Sequence, residues 1–175
     1  MDHQTNVIGA AFLLVADRMQ AAVETTTGHR GAQTAAVTAL HGWANGHPID
    51  SLARGLGLSH SRTVRIVDAL VATGLATRTT DATDRRQATV ALTARGTAAA
   101  IEVLQAREAV LDDVLRSMPP TVRTALARAS ASILLHSIDS RDAARLACRL
   151  CDVDACGHHD GRCPSTQAAD GKPDR

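Results

Sequence analysis

Residues 51–74 read Ser51-Leu52-Ala53-Arg54-Gly55-Leu56-Gly57-Leu58-Ser59-His60-Ser61-Arg62-Thr63-Val64-Arg65-Ile66-Val67-Asp68-Ala69-Leu70-Val71-Ala72-Thr73-Gly74, and this stretch decides the fold. Pro48 opens a short helix near Ile49–Leu56, and Gly57 supplies its C-terminal cap. Ser59 then caps a second helix, because its hydroxyl can satisfy the unpaired amides of a first turn. Val64, Val67, Leu70 and Val71 form the apolar positions of that helix, and Gly74 closes it. A helix, a tight glycine turn and a second helix make a helix-turn-helix.

Outward from this unit the period changes. Leu75-Ala76-Thr77-Arg78-Thr79 and Ala88-Thr89-Val90-Ala91-Leu92 are rich in β-branched residues and read as two strands. The polar run Asp81-Ala82-Thr83-Asp84-Arg85-Arg86 between them is a hairpin tip. Thr93 caps a long helix to about Met118, striped by Ile101, Leu104, Leu111 and Leu115, and Pro119-Pro120 breaks it. A final helix is expected from Thr121 to about Leu146, through Val122, Leu126, Ala129, Ile133 and Ile138. Upstream, Ile8, Phe12, Val15, Met19 and Ala22 mark an amphipathic helix over residues 6–25. A second helix spans Gln33–Trp43 and ends at Asn45-Gly46. The fold class expected is mainly α with a small β-hairpin wing.

The formal net charge of +1 conceals an uneven distribution. From Arg54 to Arg95 seven arginines face three acids, whereas residues 1–53 carry two arginines against four acids. Positive charge is therefore focused on the helix-turn-helix and hairpin, as a phosphate-binding face requires. Phe12 and Trp43 are the only aromatics, which argues against a reader of single strands that stacks bases on aromatic platforms. No apolar run approaches the roughly 18 residues of a membrane span, and no basic segment followed by an apolar run opens the chain. A cytoplasmic protein with no membrane partner is expected.

Four motifs in order resemble the MarR family of winged-helix regulators. Leu56-Gly57-Leu58-Ser59-His60-Ser61-Arg62-Thr63-Val64 is similar to the family's turn into its recognition helix, and Asp68-Ala69-Leu70-Val71-Ala72-Thr73-Gly74-Leu75-Ala76 to its close. Asp84-Arg85-Arg86 matches the wing motif of Asp, any residue, Arg, and Leu92-Thr93-Ala94-Arg95-Gly96 matches the Leu-Thr-x-x-Gly that follows the wing. Thr73 departs from the charged residue usual there. The resemblance covers roughly residues 6–147. It implies a winged helix-turn-helix flanked by N- and C-terminal dimerisation helices, hence a homodimer on double-stranded DNA with paired half-sites. The corresponding divisions are 1–30, an N-terminal dimerisation helix; 31–96, the winged helix; 97–147, C-terminal dimerisation helices; 148–164, a cysteine-rich segment; and 165–175, a disordered tail.

The resemblance also gives roles to residues. Ser59, His60, Ser61, Arg62, Thr63 and Arg65 stand at the start of the recognition helix, where side chains meet base edges in the major groove. Arg62 and Arg65 can make bidentate bonds to guanine, and serine or threonine can bond bases or phosphates. Arg86 is the candidate for insertion into a narrow minor groove, with Arg85 on a phosphate and Asp84 orienting an arginine. A repressor on a pseudo-palindromic operator is the expected role. A small-molecule effector between the reading head and the dimer helices is a further expectation.

Cys148-x2-Cys151-x4-Cys156-x6-Cys163-Pro164 has no counterpart in the common family core. Clustering of all four cysteines favours a metal or redox site over a disulfide framework spread along the chain. Four thiolates can enclose a tetrahedral zinc. The same set can hold an iron–sulfur cluster. Free thiols or a redox pair that controls DNA binding are the third reading. An enzyme would have to use Cys163 with His159, or a catalytic zinc; no nucleophile elbow, phosphate loop or carboxylate pair is present, so no catalysis is expected. A winged helix used only for protein contacts would not need an arginine wing.

Overall fold

The computed structural model describes residues 2–29, 31–80 and 88–171. In chain order these form α1 (His3–Thr27), α2 (Ala32–Ala39), a single π-helical turn (Leu40–Ala44), β1 (His47–Pro48), α3 (Ile49–Gly55), α4 (His60–Ala72), β2 (Ala76–Thr80), β3 (Ala88–Leu92), α5 (Ala94–Arg116), α6 (Pro120–Ser137), α7 (Arg141–Ala147) and α8 (Pro164–Asp170). The protein is mainly α with a small antiparallel sheet.

Capping chemistry sets most of these boundaries. Asp2, Ser59, Thr93 and Ser140 each accept a first-turn amide with the side chain. α1 ends at Gly28, whose left-handed φ of 66° lets its amide return to the Glu24 carbonyl at 3.0 Å. Gly74, with φ of 72°, turns the chain from α4 into β2.

The sheet runs in the order β1-β3-β2, and all of its pairs are antiparallel. β2 and β3 pair from Ala76↔Leu92 to Thr80↔Ala88. β1 is the strand the sequence pattern does not announce. It is two residues long and holds a proline, which an edge strand tolerates. The Gly46 amide donates to Val90 O at 2.8 Å, and the Leu92 amide donates to Asn45 Oδ1 at 3.0 Å, so the chain ahead of α3 is tied to the root of the hairpin.

The core lies under the helix-turn-helix. Leu40, Leu52, Val67, Leu70 and Val90 are almost wholly buried, with Ala35, Ala36, Ala39 and Ala100 packed among them. Small alanine faces on α2 and α5 bring the helices close, and they substitute for the aromatic bulk this chain lacks. α1 packs along α5, where Arg18 Nη2 meets Asp113 Oδ2 at 2.7 Å; the guanidinium holds the Asp113 carboxyl below its ordinary pKa.

Three expectations are corrected. The final helix is two helices, α6 and α7, because Ile138 leaves the helical conformation to bury itself and Ser140 caps a new start. The segment after Cys163 is not a disordered tail through residue 171: Pro164 begins α8, whose Ser165, Ala168 and Ala169 are buried against Ile138 and the helices around it. Finally, the chain does hold an apolar stretch of span length: α1 is 25 residues long with a mean hydropathy of 1.3 over its most apolar part, a test of length and composition that helices of soluble proteins also pass.

Candidate nucleic-acid interface

α4 presents two faces. Thr63, Ile66, Val67 and Leu70 point inward, at spacings of three, one and three that keep them on one side of a helix. Ser59, His60, Ser61, Arg62 and Arg65 are exposed. Ser59 Oγ accepts from the Arg62 amide at 3.4 Å and lies 3.4 Å from Ser61 Oγ. Arg65 Nε reaches back to Ser61 O at 3.4 Å, which lays its guanidinium along the helix surface. The Arg62 guanidinium has no hydrogen bond or ion pair among the described residues. His60 Nδ1 donates to Asp50 Oδ1 at 2.6 Å, with both side chains open to solvent. Asp50 in the first turn of α3 thus positions the first residue of α4, a role the sequence reading did not assign.

Thr63 is the correction within this set. It is 0% exposed, and its hydroxyl donates to Ser59 O at 3.1 Å. It closes the first turn of α4 from the inside and offers nothing to a base. Arg85 and Arg86 lie outside the described residues. The base of their hairpin is fixed to α4 by Arg78 Nη1 and Asp68 Oδ1 at 3.3 Å.

The hairpin is also seated on α5. Thr93 Oγ1 donates to Gly74 O at 2.8 Å, and the Thr93 amide donates to Leu75 O at 3.0 Å. Gly96 presses against that same Leu75 carbonyl so closely that any Cβ would overlap it. The Leu-Thr-x-x-Gly run is therefore a steric and hydrogen-bonded seat for the end of the wing.

The four cysteines converge on one cavity of about 200 Å³ between α7, α8 and the π-helical turn. All are free thiols, and Cys163 is buried. Mutual interaction of the two thiols pushes the Cys148 pKa up and holds that of Cys151 down. Cys156 adjoins Cys163, and its pKa is raised chiefly by burial. Among the described residues no three such donors already surround a common point at metal-binding distance. The thiols are gathered but not closed. Ser165 Oγ lies beside the Cys148 sulfur, yet it is buried without reaching hydrogen-bond geometry. The histidines are engaged elsewhere: His158 Nδ1 lies 2.9 Å from Thr166 Oγ1, and His159 Nε2 lies 3.3 Å from Asp154 Oδ1.

A buried-and-exposed recognition helix presented by α3, followed by a hairpin seated on a long helix, is a winged helix-turn-helix. Comparison with known proteins finds the MarR family pattern over residues 45–87. Solved structures extend the likeness. RV1404 from Mycobacterium tuberculosis is 26% identical with a TM-score of 0.65, over 74% of this chain and 88% of that one. CouR from Rhodococcus jostii RHA1, solved bound to p-coumaroyl-CoA, is 25% identical with a TM-score of 0.56, over 75% and 92%. YusO from Bacillus subtilis is 22% identical with a TM-score of 0.65, over 74% and 90%, and adds a likeness of fold. No curated protein matches the chain. The chain has the fold of the MarR-family transcriptional regulators, with a C-terminal four-cysteine segment in addition.

Proposed function

We propose that this protein is a sequence-specific, cytoplasmic transcriptional repressor that binds a pseudo-palindromic operator as a homodimer. The observation that carries the reading is the outer face of α4, where Ser61, Arg62 and Arg65 stand exposed at the helix start over a fully packed inner face. A rigid helix with an exposed arginine fork at its N-terminal turn is what major-groove readout requires. Arg65 contributes charge along the groove, and Ser59 and Ser61 suit phosphate or base. Arg86 serves the minor groove and Arg85 a phosphate.

The dimer reading rests on α1. Val7, Ile8, Phe12, Leu13 and Leu14 are each about half exposed or more, a contiguous apolar stretch that a soluble monomer would not leave open. Val122 and Ile133 on α6 are similarly uncovered. A second copy covering α1 and α6 buries these residues and sets two α4 helices one DNA turn apart. The same burial accounts for the apolar length of α1 without a membrane.

A candidate effector cavity of about 320 Å³ lies among α1, the start of α2, the turn after α3 and the end of α7, walled in part by Met19, Val23, Leu56, Leu58, Leu146 and Leu150. It joins the presumptive dimer helix to the helix-turn-helix, so an apolar ligand there would bias the spacing of the two α4 helices. Its aliphatic wall suits an acyl or alkyl group better than a stacked ring.

The test is binding of the purified protein to a duplex from its own promoter region, followed by fluorescence anisotropy across a salt series. Specific binding that weakens steeply with salt, with two chains per duplex, is expected. Affinity equal to that for scrambled duplex would overturn the reading.

A further inference from the structure

We infer that Cys148, Cys151, Cys156 and Cys163 bind one zinc ion as a tetrathiolate, and that this ion clamps the C-terminal segment onto the first helix of the helix-turn-helix.

The segment from Cys148 onward has little else to hold it. Its buried side chains are Cys163, Ser165, Ala168 and Ala169, with Gly157 also enclosed. That is too little apolar surface to order some two dozen residues, and small units in this position need a staple. Of its four thiols, Cys163 is buried and the other three are half-buried on the same cavity. Two glycines in left-handed conformation, Gly157 at φ 73° and Gly161 at φ 67°, fold the loop back so that the last cysteine meets the first. The Arg162 amide closes that loop on Gly157 O at 2.9 Å.

The lining of the cavity, four cysteines from one short segment, suits a mononuclear site. In a tetrahedral zinc site with Zn–S bonds of ~2.3 Å, adjacent sulfurs lie ~3.8 Å apart, so each touches the others. Cys148, Cys151, Cys156 and Cys163 line one cavity of about 200 Å³, so side-chain movement within it would bring the four sulfurs to that spacing. An iron–sulfur cluster instead spreads its thiolates over different irons and holds them apart. Ser165 gives an independent pointer. It is 1% exposed, lines the same cavity as Cys148, and its hydroxyl has no hydrogen-bond partner among the described residues. A metal-bound Cys148 thiolate would accept that O–H, as outer groups commonly do around metal ligands. On binding, each thiol releases its proton to solvent, and the site carries a net charge of −2. Arg107 of α5 acts on Cys151, and Arg145 lines the same cavity, so positive charge is already in place.

The clamp follows from three glycine notches in the reading head. Val153, inside the cysteine loop, sits 3.1 Å from where a Gly42 Cβ would stand. Trp43 fills the space at Gly55 so fully that a Cβ there would overlap its ring, and the Arg145 guanidinium lies 5.0 Å from that ring. Leu146 packs on Gly57, 3.6 Å from its Cβ position. Thus α7 grips the C-terminal end of α3, and the loop packs on the π-helical turn. Closing the thiols fixes the grip, and opening them releases α3, whose Asp50 positions His60 at the start of α4.

The test begins with the full-length protein. Elemental analysis is expected to give about one zinc per chain. Titration of apoprotein with cobalt(II) is expected to give the intense thiolate-to-cobalt charge transfer of a four-sulfur tetrahedral site. Cys156→Ser, at the least enclosed of the four thiols, should weaken the cobalt band, whereas His158→Ala and His159→Ala should leave it intact. A brown, iron-containing protein, a metal-free protein that gives no cobalt band, or a band lost with either histidine would each overturn the site. Removal of zinc by chelator is expected to weaken duplex binding about tenfold, within the usual range of coupling between sites. Equal affinity in the metal-free form would overturn the clamp. Metal content is read without DNA, so the site and the regulator reading fail separately.

Discussion

Gly96→Ala is a substitution whose sign is decided by this structure. Gly96 is the third residue of α5, after the Thr93 cap. In an exposed helix, glycine to alanine stabilises by about 1 kcal/mol, because alanine forms helix more readily. Here the added methyl would overlap the Leu75 carbonyl and stand 3.0 Å from Leu92 Cδ2. The carbonyl is backbone at the start of β2, held by the Thr93 amide at 3.0 Å and the Thr93 hydroxyl at 3.2 Å. Relief requires α5 to lift from the hairpin. That weakens two hydrogen bonds, each worth about 0.5–1.5 kcal/mol net, and adds an overpacking cost of about 1–3 kcal/mol. After the helix-propensity gain, the net destabilisation is about 3 kcal/mol, or roughly 10 °C in Tm for a chain of this size. The assay is thermal unfolding by circular dichroism, with variant and wild type in the same zinc-containing buffer. A Tm at or above that of the wild type would refute the seat assigned to Gly96, and with it the reason the wing is held against α5.

Arg62→Ala should reduce affinity for the operator duplex by about 1–3 kcal/mol at fixed salt, while Tm stays unchanged, since the side chain is exposed; a parallel loss of Tm would mean that Arg62 is structural. Thr63→Val keeps the buried shape and removes only the hydroxyl bonded to Ser59 O, so stability should fall by about 1 kcal/mol with DNA affinity per folded protein unaltered. A selective loss of affinity in that variant would return Thr63 to the interface. Phe12→Glu on the open face of α1 should convert a dimer to a monomer in sedimentation velocity, and an unchanged mass would exclude that face. Arg86→Ala, at the wing, should cost about 1–3 kcal/mol of operator binding, measured by anisotropy at fixed salt.

The parts of this fold written in local chemistry were legible in the sequence. Ser59, Thr93, Gly57 and Gly74 are caps and turns whose meaning depends on a few neighbouring atoms, and each stands where the residue type places it. Position within a helix was harder. Thr63 looked like a contact because it is polar and near the helix start, yet its spacing to Val67 and Leu70 puts it on the buried side. The stripe through Ile133 and Ile138 made one helix of α6 and α7, because periodicity records which residues are apolar and not where the backbone bends. Asp139-Ser140 held the stop signal. β1 has no propensity to detect; its pairing is created by Val90 and Thr89, some forty residues away. α8 was hidden because its buried residues are serine and alanine, whose burial depends on what lies opposite.

The short helix α3 ties the two ends of the molecule together physically. Seven residues cannot hold a helix in water by propensity, so its position belongs to whatever packs around it. On one side Ile49 and Leu52 enter the core; on the other, Trp43 and Arg145 press on Gly55, and Leu146 presses on Gly57. Glycine at both notches removes the Cβ that would hold these side chains off, which makes the fit close and intolerant of displacement. The turn following α3 contains Gly57, and α4 begins three residues later. Asp50 reaches from the start of α3 to His60 at the start of α4. A shift of α3 therefore moves both anchors of the recognition helix, its connecting turn and its first-turn contact. The chain has placed the thiol segment against the one helix of the reading head least able to resist it. If the proposed metal closes the thiols, that placement would make the segment a lever on α4, as free thiols at a remote tail could not be.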